Sequence, residues 1–480
     1  MGKTLVILEV SRKQDYIFGS RGMKLDENQR RSHQIALVTG SDFFQRAWEP
    51  YREEEHLVYA GGGHTVLQFA DAEQATAFVS AVTRKALVTY REMELFAKQM
   101  PYDPEMTPGE NLMHLTALLE KKKALRRASF RRIGFGMEAT DAKNAYLPSV
   151  KRERMEENPY HMPEVLPPPE GCSYILDFDK ISRRSIAVIH IDGNAMGTRI
   201  RRIYEEQTEW EGCCRSMRAF SQQIQSDFEA VFLETAEQVA KYRKRCGDDS
   251  NEIPLRPVVL AGDDVCFVTD GAIGLECARV FLERLSRREL LGCPYAACAG
   301  VSIVQKDAPF RSAYQRAEEL CGNAKRFAAQ IDPAGSVSAM DWQVEMGQIR
   351  GDLESSRRSY EAEDGSRLCL RPVAVVVPEG KESAAESVTH GLRTYAFFKR
   401  LCLALRRREA VRGKMFRLMN ALRQGTVEAE FELLCTEQEW IKALLPGRQI
   451  FAELDGRAYS LLFDAMESRE WFVSFDEVRQ

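Results

Sequence analysis

No stretch of this 480-residue chain approaches the ~20 consecutive apolar residues a membrane helix requires, so no membrane segment is expected. The N-terminus has no secretory pattern and enters a short strand at Thr4. Cysteine is absent before Cys172, and the twelve cysteines that follow include no C-x-x-C pair. Cys213-Cys214 is the one close pair. Neither a disulfide framework nor a cysteine zinc site is expected; the thiols read as reduced packing groups in a cytoplasmic protein. A large charge of one sign is also missing. The net charge is −4, so any attraction to nucleic acid must be local. What remains, 44% hydrophobic and 29% charged residues, is ordinary for a globular protein, with length for two to four domains.

The most informative stretch is Arg256 to Thr269, RPVVLAGDDVCFVT. Two apolar, β-branched runs flank Ala261-Gly262-Asp263-Asp264, which predicts a β-hairpin. Adjacent carboxylates on a rigid turn repel unless a cation sits between them. The plain alternative is a solvated Asp turn. Gly247-Asp248-Asp249 repeats the tripeptide without flanking strands and reads as a helix-ending loop, so the setting counts and the tripeptide does not. Ser185 to Ile191, SIAVIHI, reads as a central buried strand ending in Asp192-Gly193-Asn194-Ala195-Met196-Gly197. An acid followed by glycines leading into a helix suits metal and phosphate chemistry. If that strand lies beside the hairpin, Asp192, Asp263 and Asp264 converge on one edge, the layout of two-metal phosphoryl transfer.

In chain order, Thr4 to Val10 predicts a strand and Ser32 to Trp48 a helix. His56 to Phe69 predicts a second hairpin around Gly61-Gly62-Gly63, with a helix over Ala72 to Thr89. Laying VYAGGGHTVLQ over VLAGDDVCFVT places Ala60 on Ala261, with Gly62 and Gly63 on Asp263 and Asp264. This reads as a duplication in which one copy has lost its acids. Between the copies, Gln99 to Gly134 is polar, with lysines at 121–123 and arginines at 126–127 and 131–132, a solvated face or a phosphate-contacting patch. Asn158 to Gly171 with Pro167-Pro168-Pro169 is the linker. The second copy runs helix Cys213 to Lys244, hairpin, helix Gly274 to Arg287, strand Tyr295 to Val304, helix from Pro309 through Phe327 and strand Ser336 to Met340. Gly300 marks a place where a ligand could come close. Cys369 to Val377 reads as a strand, and the chain from Ser383 as mostly helical, with basic residues over 399–417 on a solvated, RNA-facing or partner-facing surface. The fold class is α+β: two tandem ferredoxin-like or palm (βαββαβ) domains over 1–145 and 173–345, a linker over 146–172 and a helical domain over 346–480.

VVLAGDDVCFVTDG after IDGNAMG, then YAACAGVSIV, AYQRAEELCGNAK and SAMDWQ, resemble the second palm of the type III CRISPR polymerase/cyclase large subunit. EVSRKQDYIFG and YAGGGHTVLQF resemble that family's first, degenerate palm. The resemblance implies two divalent metals, Mg2+ or Mn2+, and joining of ATP into cyclic oligoadenylate in anti-phage defence. It implies Asp192 and Asp264 as metal ligands, Asp263 assisting, and the Ile191 carbonyl as an extra oxygen. It also implies Lys325 on the triphosphate, with Gly193, Asn194, Gly197 and Gly262 around the phosphates. Ala261 replaces the family's first hairpin glycine, and the absence of a His-Asp dipeptide implies a reduced or stand-alone relative without the HD nuclease. His190 reads as packing support for Asp192, not as a base. Partners open to this reading are a nucleoside triphosphate, ATP first, then RNA or CRISPR-type proteins and a second copy of the chain. The competing expectation is a non-catalytic scaffold that binds RNA or protein through the basic stretches. A templated polymerase is a weaker third.

Overall fold

The computed structural model describes residues 2–19, 25–90, 92–125, 166–178, 185–349, 351–406 and 411–477. The arginines at 126–127, 131–132 and 407–408 and the linker from 158 to 165 lie outside the described residues. The protein is α+β, with several sheets and a mainly helical C-terminal region. It divides into two compact units, Met1–Pro167 with Met196–Ser226, and Pro168–Ala195 with Asp227–Gln480.

The first unit is built on β1 (Thr4–Ser11), β2 (Leu57–Gly61), β3 (His64–Phe69) and β4 (Glu94–Pro101), antiparallel in the order β2-β3-β1-β4. Helix α1 (Ala72–Thr89) starts where Asp71 accepts the Gln74 amide, and it buries Ala75, Phe78, Val82 and Ala86. Helix α2 (Pro108–Ala124) opens with a full capping box between Thr107 and Glu110. Two expectations change here. The helix expected over 32–48 is two, Leu25–Val38 and Ser41–Ala47, because Gly40 is extended and Thr39 turns its hydroxyl onto the Ile35 carbonyl. Strand β4 was hidden because Lys98 and Gln99 blur its alternation.

The second unit carries β5 (Ser185–Gly193), β6 (Leu255–Ala261), β7 (Asp264–Asp270), β8 (Ala297–Gln305), β9 (Ser338–Glu345) and β10 (Val373–Val376) in the order β10-β9-β8-β5-β7-β6. Only β8 and β9 are parallel. Strand β5 is buried at every position except Asp192, as its apolar run requires. Helix α3 (Met196–Glu206) belongs to the first unit, and α4 (Trp210–Arg245) divides between the units at Ser226. Helices α5 (Gly274–Leu285) and α6 (Phe310–Ile331) complete the second unit's central part. Gly247-Asp248-Asp249 ends α4, with Asp248 held by Arg243. The strand expected over 369–377 shortens to β10, because the Leu370 and Arg371 amides donate to the Asp464 carboxylate instead of a ladder. The C-terminal region also contains an unexpected hairpin, β11 (Phe451–Leu454) with β12 (Arg457–Ser460).

Gly300 serves helix packing, contrary to the expected ligand approach. A Cβ there would fall well inside contact distance of the Ala317 carbonyl and the Cys321 amide, so α6 lies directly on β8. Gly300→Ala should cost about 3 kcal/mol or more in urea unfolding, since backbone on both sides leaves nothing to yield. A loss below about 0.5 kcal/mol would mean α6 does not approach that closely.

Candidate active site

Strand register does the assembling. Asp192 on β5 lies directly opposite Asp264 on β7, and on its other side opposite Cys298 on β8. Asp192 and Asp264 therefore share one face, on the neighbouring strands required for convergence. Ile191, one residue back, pairs with Val265 and Ala299 and is wholly buried. Asp263 occupies the β6–β7 turn, and its carbonyl accepts the Gly193 amide at 3.3 Å.

The turn explains why alanine is tolerated at its first position. Ala261 pairs with Asp264 as the last rung of the ladder, so the two-residue loop is Gly262-Asp263. Gly262 takes φ 70° and Asp263 stays outside the left-handed region, the pattern of a II′ turn. The first unit's hairpin closes on Gly61 and His64, with Gly62 at φ 57° and Gly63 at φ 77°, the I′ pattern. The sequence overlay was thus one residue out of step: Gly63 corresponds to Asp263, and His64 to Asp264. A Cβ on Gly63 would sit 2.7 Å from Ile35 Cγ2 at φ 77°, so any side chain at that position is strained.

Helix α6 covers the acid-bearing face with residues a turn or so apart. Tyr314 stands edge-on to His190 with ring centroids 5.5 Å apart, Ala317 meets Gly300, and the Cys321 thiol donates to the Cys298 carbonyl at 3.2 Å. One turn further, Lys325 Nζ donates to Asp192 Oδ2 at 2.7 Å and to the Gly193 carbonyl at 2.9 Å. Burial opposes the charge on Lys325, but Asp192 more than offsets it and raises the lysine's pKa. His190 Nδ1 lies 3.4 Å from Asp264 Oδ1, and burial lowers the imidazole's pKa, so it stands neutral beside the carboxylate.

The remaining predicted residues are placed differently. Asn194 is buried; its side-chain amide donates to the Val337 carbonyl at 2.9 Å and its backbone amide to Ala296 at 2.8 Å, so it braces the loop after β5. Gly197 is exposed in the first turn of α3, within the first unit.

One pair escaped the sequence reading. In the first unit Glu9 on β1 lies opposite His64 and Phe96, as Asp192 lies opposite Asp264 and Cys298. Lys123 on α2 binds Glu9 at 3.0 Å, as Lys325 binds Asp192. Each lysine lies 27 residues beyond the β-strand partner of its acid (96 to 123, 298 to 325). The spacing could have been found in the sequence only by recognising β4. Burial first, then the charge on Lys13, pushes His64 down to about 4, so the first unit's counterpart of Asp264 is uncharged at neutral pH.

The acids fit a hard cation with oxygen ligands. Burial first, then the charges of Asp192 and Asp264, pushes the Asp263 carboxyl up to about 6. Crowded carboxylates that resist ionising are the sign of a site wanting positive charge. Among the described residues no group of three or more His, Cys, Asp or Glu closes around a metal by itself.

No family model and no curated protein matches the chain. Solved structures do. Csm1 from T. onnurineus superposes with a TM-score of 0.52 at 13% identity, over 97% of this chain and 68% of that one. A Csm1–Csm4 cassette in complex with pppApApA gives 0.53 at 13% identity, over 98% of this chain and 69% of that one. Another cassette, in complex with cA3, gives 0.44 at 14% identity over 76% of this chain, which spans only 56% of that one. An open antiparallel sheet edge bearing acids and a lysine is the class of site; the fold that carries it is that of Csm1, the type III CRISPR large subunit whose family the motifs resemble.

The Asp263 environment yields a pH prediction. An unfolded Asp titrates near ~4, whereas folded Asp263 holds its proton to about 6. Metal-free stability should fall as pH rises from about 4 to about 6 and stay lowered above that. Asp263→Asn should therefore stabilise the protein by ~1–3 kcal/mol at pH 7.5 and by almost nothing at pH 4, read by urea melts in EDTA. An equal gain at both pH values would contradict the crowding.

Proposed function

We propose that the chain is a metal-dependent nucleotidyltransferase that joins ATP, or another nucleoside triphosphate, into a cyclic oligonucleotide. In this reading the two sheets are tandem palm domains, and the second holds the reaction. The observation that carries it is the facing of Asp192 and Asp264 on paired strands, with Asp263 beside them, in a chain folded like Csm1. Solved Csm1–Csm4 cassettes were captured with pppApApA and with AMPPNP, which is the ligand chemistry this edge suits.

Asp192 and Asp264 would hold Mg2+ or Mn2+, with Asp263 assisting and the Ile191 carbonyl as a further oxygen. Bound there, the metal would neutralise the triphosphate and favour loss of the attacking hydroxyl's proton. The protein's own contribution is positional. The II′ turn at Gly262 sets Asp263 and Asp264 against Asp192. Asn194 braces the loop so that Gly193 keeps its backbone beside the phosphates. Lys325, on a helix seated against β8, supplies the cation for the triphosphate. No side chain here is poised as a strong base, since His190 is buried and lowered. In-line displacement needs little acid–base help when charge is held this way. The reading goes with a cytoplasmic protein; among the described residues no helix is long and apolar enough to cross a membrane.

Several described cations of the basic stretches have partners within the chain, while the arginines at 126–127, 131–132 and 407–408 lie outside the described residues. Lys122 donates to the Ala97 carbonyl, Lys123 pairs with Glu9 and Glu120, Lys399 with Glu276 and Asp476, Arg412 with Glu470, and Arg417 with Glu432.

Incubation with ATP and Mg2+ or Mn2+ should release pyrophosphate and an adenylate product resolvable by mass spectrometry. The Asp263→Ala, Asp264→Ala double variant should lose at least ~100-fold of this rate while its circular dichroism and melt remain those of a folded protein. Product at the wild-type rate from the double variant would refute the site. Silence from the wild type under all conditions, with tight RNA binding, would leave the scaffold reading in its place.

A further inference from the structure

The ion pair between Lys325 and Asp192 occupies the carboxylate that the proposed function gives to a metal. Both acceptors of the ammonium, Asp192 Oδ2 at 2.7 Å and the Gly193 carbonyl at 2.9 Å, belong to the last two residues of β5. A lysine cannot donate to Asp192 Oδ2 at that distance while a divalent cation takes the same oxygen without severe repulsion. The first unit repeats the arrangement at Glu9 and Lys123, where the facing position is a neutral histidine and the turn Gly62-Gly63 carries no acid. There the lysine is the strand acid's standing counter-ion. In the second unit two hairpin carboxylates add negative charge beside the same kind of pair.

Resting on the proposed function, we infer that Lys325 is a displaceable internal cation: it holds Asp192 while the site is empty and is drawn off by a triphosphate, so that metal and nucleotide bind with positive coupling. A nucleoside triphosphate offers the ammonium oxygens of higher charge within reach of the same side chain, whose stem lies along α6. Freed of the lysine, Asp192 can take a metal. Metal alone must compete with Lys325, and triphosphate alone must separate the ion pair. Each ligand removes a cost the other would otherwise meet, which is a coupling free energy and is reciprocal. The site thereby resists loading with free divalent cation and favours arrival of both together.

The test is direct binding, without turnover. Mn2+ affinity is measured on the full chain by titration calorimetry, and by the Mn2+ paramagnetic resonance signal, with and without a non-hydrolysable ATP analogue. Wild type should bind Mn2+ weakly alone and at least ~10-fold more tightly with the analogue. Lys325→Met, which keeps the stem, should bind Mn2+ alone at least ~10-fold more tightly than wild type and gain little from the analogue. Arg326→Met, on the same helix with its guanidinium on Asn323, should behave as wild type. Unchanged or weakened Mn2+ affinity in Lys325→Met would overturn the proposal, as would equal tightening in Arg326→Met, which would mark a general charge effect. Asp192→Asn separates the two levels. Should it abolish Mn2+ binding while Lys325→Met leaves it unchanged, the metal site stands and the displacement fails; should it bind Mn2+ like wild type, the metal site itself is wrong and the displacement goes with it.

Discussion

The close approach of helix α6 to strand β8 at Gly300 governs the candidate site. Two backbones meet there with no side chain between them, and that contact sets the height of the helix over the sheet. From it follow the ring of Tyr314 against His190, the thiol of Cys321 on the Cys298 carbonyl, and the ammonium of Lys325 on Asp192. A helix lifted by one methyl group would carry Lys325 away from the acid by a comparable distance, and a charge-assisted hydrogen bond does not tolerate that.

Electrostatics give the sheet edge an excess of negative charge while packing keeps it in place. Asp192 and Asp264 face each other on paired strands, Asp263 in the turn feels both charges, Lys325 pairs with Asp192, and the neighbouring imidazole is kept neutral by burial. Such an arrangement is costly to stability unless a cation answers it. The first unit shows the same scaffold with the cost removed. Its turn is glycine, its facing residue a neutral histidine, and its strand acid is paired with Lys123. The comparison indicates that the second unit's excess negative charge is not demanded by the fold, since the same strand order is built without it.

Much of the fold was legible because its signals are local. The apolar run of β5, the two hairpins, and helices α1 and α6 are written in periodicity and turn residues. The features that escaped are those decided by distant partners. Strand β4 alternates poorly and is held by pairing with β1. Backbone amides at 370–371 turn to Asp464, a residue more than ninety positions away. The one-residue slip in comparing the hairpins arose because I′ and II′ turns use glycine differently, which composition does not reveal.

By itself the chain marked the candidate residues for this chemistry: acids at a strand end and in a tight turn, followed by glycines, with Lys325 added only by the family resemblance. Those choices are properties of neighbouring residues and survive in one dimension. Only the tertiary structure decided that Asp192 faces Asp264, that Gly300 belongs to a helix and not to a ligand, and that Lys325 rests on the acid with a counterpart at Glu9 and Lys123. Register between strands and the height of a helix over a sheet are set by contacts between segments far apart in the chain, and no local pattern carries them.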